Sequence, residues 1–337
     1  MSESFQYPLK PYNTFGFNVF AQQLNIIQST DELTEMFHEQ KINETSKVLG
    51  GGSNILFTHD FEGQLLKNEI KGITVISESE NTIEISFGGG ENWHETVLYC
   101  VNQGWGGLEN LSLIPGTVGA SPIQNIGAYG SEIKDTFQWL KAFNLKTGKI
   151  ETFSHTDCQF GYRDSYFKNE GKNTYFITEV CFRLSKKPVI NVQYGDIQAV
   201  LDGAQITSPT IKDVSNAIIA IRQSKLPNPA ELGNCGSFFK NPIILKSHFT
   251  TLQSSYPDIK SFPINETEVK VPAGWLIEKA GWKGKRLGEV GVHEKQALVL
   301  VNYGKGTGLE IKNLAHAILQ NIKETFGIQL EIEVNVW

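Results

Sequence analysis

The sequence predicts an α+β protein, because its helices and strands do not alternate in a regular β–α–β rhythm. Two segments carry most of this prediction. The final "IQLEIEVNVW" alternates apolar and polar residues, as a half-buried strand does. In "SPTIKDVSNAIIAIRQSKLP" the apolar residues form one helical stripe, made of Ile211, Val214, Ile218 and Ile221.

Local signals place the earlier elements in order. Residues 31–40 predict a short capped helix, and "KVLGGGSNILF" predicts two strand-like runs separated by a glycine turn. "TIEISF" (82–87) alternates as a strand. In "ENWHETVLYCVNQG", Asn92 can cap a helix, Glu95 lies at the capping-box position and Gly104 ends the helix.

The later elements follow the same rules. We expect the helix of the apolar stripe to be capped near Ser208 and to end before Pro227, and "LEIKNLAHAILQNIKETFG" predicts another helix. In the last strand the apolar positions face one way: Ile328, Leu330, Ile332, Val334 and Val336.

Composition narrows the class of protein. A chain of 337 residues, with 40% hydrophobic and 20% charged residues, suits two or three globular domains. Its net charge of −6 argues against a nucleic-acid partner. The N-terminus lacks the pattern of a signal peptide, so we expect a cytoplasmic protein. Residues 111–130 are uncharged but contain four glycines and two prolines, which argues against membrane insertion.

The four cysteines are far apart and form no C-x-x-C motif. This spacing favours reduced thiols over disulfides or a zinc site. The seven histidines form no H-E-x-x-H motif, and we expect no metal site.

Two glycine-rich stretches are candidates for ligand binding. "VLGGGSN" (48–54) suits either an anion-binding nest or a tight turn, and it is neither a Rossmann nor a P-loop motif because strand-like residues follow it. "IPGTVGASPIQNIGAYG" (114–130) exposes backbone and offers uncharged donors. It favours a large ligand with a diphosphate over a purely structural loop.

Several motifs together resemble one family. They include "GGGSN", "GLENLSLIPGTVGASPIQNIGAYG", "CQFGYRDSYFK", "KLPNP", "GNCGSFFKNP" and "HEKQALVLVN", and they run in order from about residue 13 to the C-terminus. The chain resembles the UDP-N-acetylenolpyruvoylglucosamine reductases of bacterial peptidoglycan synthesis. "QYGD" (193–196) resembles the members with a tyrosine-bearing segment over the substrate.

The resemblance implies non-covalently bound FAD and NADPH as co-substrate. It implies a two-lobed FAD-binding module of the vanillyl-alcohol-oxidase (PCMH) type and a C-terminal α+β substrate-binding domain. We expect lobe 1 at 1–70, lobe 2 at 71–207 and the substrate domain at 208–326, with 327–337 returning near the flavin site. The flavin positions implied are Gly50, Gly51, Gly52, Ser53, Asn54, Gly116, Ser121, Gly127, Ala128 and Tyr129.

The reaction implied is reduction of the enolpyruvyl group of UDP-N-acetylglucosamine enolpyruvate to a lactyl ether. Ser237 matches the proton donor of the family, whereas Cys235 corresponds to a position of small residues and is expected to fill space. Arg163 matches a position that stabilises developing negative charge.

Glu333 matches a group that polarises the substrate carboxylate, although pattern alone favours a solvated side chain like that of Glu331. Relatives usually carry proline where Ile332 stands. We expect folding to bring Arg163, Ser237 and Glu333 around one flavin ring.

The resemblance also implies five substrate-binding residues and no obligatory protein partner. These residues are Tyr194, Lys225, Asn241, Lys283 and Gln296. Two other interpretations stay open at this point: an alcohol or sugar oxidase of the same fold, and a non-catalytic module that binds nucleotide sugars.

Overall fold

The computed structural model describes residues 6–194 and 196–337. The α-helices in these ranges are α1 (Thr30–His38), α2 (Trp93–Asn102), α3 (Ile197–Gly203), α4 (Ile211–Lys225), α5 (Lys246–Ser255), α6 (Ala273–Lys279) and α7 (Gly308–Phe326).

The strands of the first two thirds of the chain are β1 (Tyr7–Pro8), β2 (Phe20–Ile27), β3 (Lys47–Leu49), β4 (Ile55–Leu56), β5 (Phe61–Asn68), β6 (Ile73–Glu78), β7 (Thr82–Gly88), β8 (Gly127–Ala128), β9 (Ser131–Glu132), β10 (Phe137–Asn144), β11 (Ile150–Ser154) and β12 (Tyr175–Ser185). Those of the last third are β13 (Gly233–Ser237), β14 (Ile243–Leu245), β15 (Phe262–Pro263), β16 (Glu268–Lys270), β17 (Arg286–Leu287), β18 (Val290–Val292), β19 (Val299–Asn302) and β20 (Asn335–Val336).

The described chain forms two compact units. Unit 1 contains residues 21–52 and 62–224 together with the described residues before Pro8, and unit 2 contains residues 8–20, 53–61 and 225–337. Each unit is therefore assembled from separate stretches of chain.

Unit 1 is built around an antiparallel sheet with the strand order β11-β10-β12-β7-β6. Its core contains Phe87 and Phe182 from the sheet and Trp93 from α2, and the Trp93 indole donates to the carbonyl of Leu111 at 3.0 Å. A second sheet has the order β1-β2-β5-β3. The bond between Trp93 and Leu111 anchors the chain shortly before the second glycine-rich stretch.

Unit 2 contains a sheet with the order β13-β19-β18-β17 and the long helix α7. Thr307 caps α7 through a capping box with Glu310, and Gly327 ends it in the left-handed conformation that glycine allows. Residues of the N-terminal segment, Phe15 and Phe17, are part of the same core as Phe238.

Most of the predicted elements are confirmed. The strand predicted at 82–87 is β7, and Asn92 caps α2 by accepting from the Glu95 N–H at 3.1 Å. The first helix begins at Thr30 rather than residue 31, with Ser29 as its cap.

Two local predictions are wrong in detail. Thr210, not Ser208, caps α4, because Thr210 and Asp213 exchange side-chain hydrogen bonds with each other's backbone N–H. The C-terminal segment is not one continuous strand. Buried and exposed residues alternate only from Ile328 to Glu331, Val336 is exposed rather than on the buried face, and only Asn335–Val336 forms a strand, parallel to β4. Alternation reports which face is buried, whereas a strand also requires a continuous hydrogen-bonded neighbour.

The α+β class is confirmed. Residues 111–130 form short 3-10 turns and part of the β8–β9 hairpin. Among the described helices, none combines the length and hydropathy needed to cross a bilayer.

Candidate active site

The two glycine-rich stretches meet within unit 1. A Cβ atom on Gly51 would lie 2.8 Å from the Cα of Gly116, and one on Gly50 would lie 2.9 Å from the hydroxyl oxygen of Thr117. Backbone this close leaves no room for side chains at positions 50 and 51. The two stretches, named the first and second glycine loops, thus form one surface of exposed backbone.

This surface suits the diphosphate of FAD. The Thr117 hydroxyl is buried and has no hydrogen-bond partner in the described part of the chain. A buried hydroxyl without a partner is costly, and a phosphate oxygen would satisfy it. The geometry therefore fits the cofactor implied by the resemblance.

The remaining predicted flavin positions of the second glycine loop have defined local contacts. Ser121 is buried and its hydroxyl donates to the carbonyl of Val118 at 2.7 Å. Gly127 and Ala128 form β8 of the β8–β9 hairpin, and Tyr129 follows with a φ of 49°. Left-handed backbone at a tyrosine is strained, which is common at functional sites.

Ser53 and Asn54, at the end of the first loop, belong to unit 2. The carbonyl of Asn54 accepts from the backbone N–H of Asn335 at 3.1 Å and from its side chain at 3.2 Å. The C-terminal segment is thereby held directly after the glycine turn.

Arg163 lies in unit 1 at a tight turn and has a φ of 53°. The charge of Arg163 acts on a second guanidinium, that of Arg222 on α4. Burial lowers the pKa of Arg222, a hydrogen bond and charge interaction with Tyr129 raise it, and the charge of Arg163 lowers it again. Two arginines and a tyrosine therefore form a cationic cluster in unit 1, suited to anions.

Leu113, just before the second glycine loop, is held from both sides. The Nδ1 of His94 accepts from the Leu113 N–H at 3.0 Å, and the Nε of Arg222 donates to the Leu113 carbonyl at 3.2 Å. Leu113 has a φ of 58°. His94 is thus neutral, with its proton on Nε2, when this bond forms.

Ser237 ends β13 directly after a β-bulge. Asn234 is opposite Val301 and Ser237 is opposite Val299, so β13 carries one extra residue there. Gly236, inside the bulge, has a φ of 73°. A bulge of this kind turns a side chain away from the regular alternation of its strand.

Glu333 lies on the segment that pairs with the residues after Ser237. Phe239 is bridged to Ile332, and the Glu333 N–H donates to the carbonyl of Phe238 at 2.9 Å. Glu331 instead forms an exposed ion pair with Lys240 at 2.9 Å. The structure thus brings Ser237 and Glu333 onto neighbouring antiparallel segments of unit 2, while their meeting with Arg163 stays a prediction.

Cys235 is buried in the core of unit 2. Burial raises the pKa of its thiol, and the nearby charge of Glu333 raises it further. A thiol in this environment stays protonated and unreactive, as expected for a space-filling residue.

Two predicted substrate residues, Asn241 and Gln296, converge at the start of α6. The Asn241 side chain accepts from the Ala273 N–H at 2.9 Å, and a Cβ on Gly274 would lie 3.3 Å from the side-chain oxygen of Gln296. Lys283 follows the same helix and pairs with Glu278 at 2.9 Å.

Tyr194 and Lys225 complete the set of predicted substrate residues. Tyr194 is 45% exposed and packs beside Gly130, at the β8–β9 hairpin. Lys225 is the last residue of α4. Gly195 of the "QYGD" segment lies outside the described residues.

The sequence interpretation missed Thr117, His94 and Arg222. The sequence did contain a signal for Arg222: it lies four positions after Ile218, and therefore beside the apolar stripe of its helix. A charged residue beside such a stripe needs a partner inside the protein.

Comparisons with known proteins define the class first. Residues 23–154 match the FAD binding domain family, which covers both glycine loops. The protein is a flavin-dependent oxidoreductase that binds FAD.

Residues 228–337 match the family described as UDP-N-acetylenolpyruvoylglucosamine reductase, C-terminal domain. The chain is 53% identical over 331 residues to the UDP-N-acetylenolpyruvoylglucosamine reductase of Flavobacterium johnsoniae, covering 98% of each chain. It is 47% identical over 330 residues to that of Amoebophilus asiaticus, covering 98% of this chain and 97% of the relative.

Its fold is similar to the crystal structure of the reductase from Thermus caldophilus, with a TM-score of 0.67, 21% identity and 99% of each chain covered. The chain belongs to the UDP-N-acetylenolpyruvoylglucosamine reductase family. Of the three interpretations that the sequence left open, the reductase is confirmed.

Proposed function

We propose that the protein reduces UDP-N-acetylglucosamine enolpyruvate to UDP-N-acetylmuramate with NADPH as the electron donor. The observation that carries this proposal is the placement of Ser237, turned by a bulge, beside the segment of Glu333. This arrangement puts an acidic hydroxyl and a carboxylate on adjacent segments of the unit that matches the reductase C-terminal domain.

The proposed chemistry adds one hydride and one proton across a carbon–carbon double bond. FAD, when bound, would supply the redox chemistry that carries a hydride from NADPH to the terminal vinyl carbon of the substrate. The electron pair left on the adjacent carbon then takes the hydroxyl proton of Ser237, and solvent returns a proton to the serine.

The other residues stabilise the charge that develops in this step. The guanidinium of Arg163 neutralises the carboxylate as it becomes enediolate-like, and Glu333 polarises that carboxylate. Gly50, Gly51, Gly116 and Thr117 would hold the flavin diphosphate. Tyr194, Lys225, Asn241, Lys283 and Gln296 would bind the nucleotide part of the substrate.

The proposed compartment is the bacterial cytoplasm, where NADPH and UDP-sugars are available. All four cysteines are unpaired, which suits a reducing compartment. No obligatory protein partner is needed for this scheme.

The test separates the two half-reactions by stopped-flow absorbance of the flavin. With Ser237→Ala, we expect flavin reduction by NADPH to be retained and flavin reoxidation by the enolpyruvyl substrate to slow by about 10²-fold or more, because only the second step needs the proton. Ser254→Ala is the matched control, since Ser254 is an exposed serine on α5 of the same unit.

Equal slowing of both half-reactions in Ser237→Ala would contradict the role as proton donor. A wild-type protein that oxidises no NADPH when the enolpyruvyl sugar nucleotide is added would refute the proposed reaction as a whole.

A further inference from the structure

The turn that carries Arg163 is closed on itself. Gly161 and Asp164 exchange backbone hydrogen bonds, at 3.0 Å and 3.4 Å, and Arg163 lies between them with a φ of 53°. An arginine adopts left-handed backbone only where its surroundings impose it. The contacts of this turn therefore fix the position of the Arg163 backbone, from which the side chain with its guanidinium extends.

One of these contacts comes from Asn125 in the second glycine loop. Asn125 is fully buried, and its side-chain NH₂ donates to the carbonyl of Gly161 at 2.9 Å and to the carboxylate of Glu132 at 3.0 Å. Its side-chain oxygen accepts from the Lys134 N–H at 3.2 Å. All three bonds are made inside the protein, so this side chain is locked in one orientation.

Two residues on the far side of the turn bind the same loop. The buried hydroxyl of Ser165 donates to the carbonyl of Ile123 at 2.7 Å. The ammonium group of Lys168 lies 3.1 Å from the carbonyl of Arg163 and 3.4 Å from the side-chain oxygen of Gln124. Three consecutive residues of the second glycine loop, Ile123 to Asn125, are thus bonded to the Arg163 turn.

We propose that Asn125, Ser165 and Lys168 are positioning residues, which bind the Arg163 turn to the second glycine loop so that the guanidinium keeps a fixed place relative to the cofactor. This inference rests on the proposed function of Arg163. Small displacements of a charged group in an active site cost about 10²-fold in rate, so such fixing has a measurable effect.

The first test measures the connection itself, by amide hydrogen exchange in the flavin-loaded protein. Asn125→Gly removes the three side-chain bonds, and glycine accepts the φ of 44° at this position. We expect the amides of residues 161–168 to exchange faster in this variant. Unchanged exchange there would overturn the inference.

Asn144→Ala is the matched control. Asn144 is a buried asparagine of unit 1 that also makes three side-chain bonds, to Glu151 and from the N–H groups of Lys146 and Thr147. It lies at the end of β10, and its bonds go to neither loop. Its loss should leave exchange at 161–168 unchanged.

The second test is a double-mutant cycle on kcat/KM for the enolpyruvyl substrate. In the wild-type background, we expect Arg163→Met to lower kcat/KM by about 10²-fold or more. In the Asn125→Gly background, the same substitution should lower kcat/KM by a factor that is at least about tenfold smaller, because an arginine that is out of place contributes little to begin with. A purely structural role of Asn125 would give additive losses, as expected for Asn144→Ala, and additivity in Asn125→Gly would overturn the positioning role.

Lys168→Met provides a second variant in case Asn125→Gly does not fold, because the Lys168 side chain is only partly buried. It should give the same pattern in exchange and in the cycle. A wild-type protein without activity on the enolpyruvyl sugar would refute the proposed function, while the exchange comparison would still decide whether these residues hold the Arg163 turn.

Discussion

At the scale of single residues, Ser237 shows how a local irregularity can select a functional side chain. The extra residue in β13 and the left-handed Gly236 turn the chain immediately before Ser237. Regular alternation would have given the neighbouring Cys235 and Ser237 the same face of the strand. The bulge therefore separates a buried thiol from the hydroxyl proposed to react.

The first prediction concerns Cys235. Because its thiol is buried and its pKa is raised, we expect Cys235→Ala to keep both half-reactions and to lower the free energy of unfolding by about 1 kcal/mol. Stopped-flow traces and thermal melts of the variant measure the two quantities. If reoxidation by substrate were lost as in Ser237→Ala, the proton donor would have to be reassigned.

At the scale of elements, the start of α2 and the second glycine loop are joined by His94. Burial lowers the pKa of His94, the charge of Arg222 lowers it further and Glu95 opposes them. The bond from the Leu113 N–H requires an unprotonated Nδ1. The neutral imidazole is therefore the form that the folded protein prefers.

The second prediction is a pH dependence of stability. With the folded pKa below the ordinary value of about 6.5, the contribution of His94 is complete above that pH and is lost as the pH falls below it. Asparagine also has an acceptor but does not titrate in this range, so in His94→Asn we expect the free energy of unfolding to fall less steeply as the pH is lowered. The slopes of the two proteins should differ by less than about 1.4 kcal/mol per pH unit, which is the limit for one proton.

Chemical unfolding of the two proteins between pH 7 and pH 5 gives this comparison. Parallel curves would show that the His94–Leu113 bond has no titrating role. A variant curve that falls more steeply than that of the wild type would contradict the sign of the prediction.

The third prediction concerns the contact between the glycine loops. In Gly51→Ala the new methyl group would meet the backbone of Gly116, which cannot move aside as a flexible side chain can. Such overpacking costs roughly 1–3 kcal/mol. If this strain is present only in the FAD-bound protein, FAD affinity falls by about 5- to 150-fold.

Flavin content and FAD affinity of the purified variant measure this effect. Gly203→Ala is the control, because a Cβ atom at position 203 would have no atom within 4 Å and Gly203 lies at the end of α3. Wild-type FAD affinity in Gly51→Ala would show that the close approach is not required.

At the scale of the whole molecule, unit 2 is assembled from stretches that are far apart along the chain. Residues 8–20 and 53–61 belong to unit 2, although most of that unit comes from residues after 224. The Phe15 carbonyl accepts from the Asn302 side chain at 2.9 Å, and the Asn234 N–H donates to the carbonyl of Thr14 at 3.0 Å. The C-terminal unit therefore depends on the N-terminal segment.

The fourth prediction tests this dependence. Phe15 is fully buried in the core of unit 2, so Phe15→Ala should lower the free energy of unfolding by about 3–5 kcal/mol. Hydrogen exchange should rise in β13 and β19, far along the chain from the substitution. Phe262→Ala is the control, because Phe262 is 42% exposed in the same unit. Exchange that rises only near residue 15 would contradict this interdependence.

The sequence by itself determined the local structure and the family. Periodicity and capping residues predicted α2, α7 and β7, because these signals depend on neighbours within a few positions. Whole motifs such as "GNCGSFFKNP" pointed to the reductase family and to FAD. The same local signals misplaced the cap of α4 by two residues, since both Ser208 and Thr210 are good caps.

Only the tertiary structure decided which distant residues meet. It paired Glu333 with Phe238, the residue after Ser237, and left the Glu331 carboxylate exposed beside Lys240. It also joined Asn125 to the Arg163 turn and paired Arg222 with Leu113. Alternation along one strand cannot distinguish these choices. They depend on hydrogen bonds and burial between segments far apart along the chain, which no local pattern encodes.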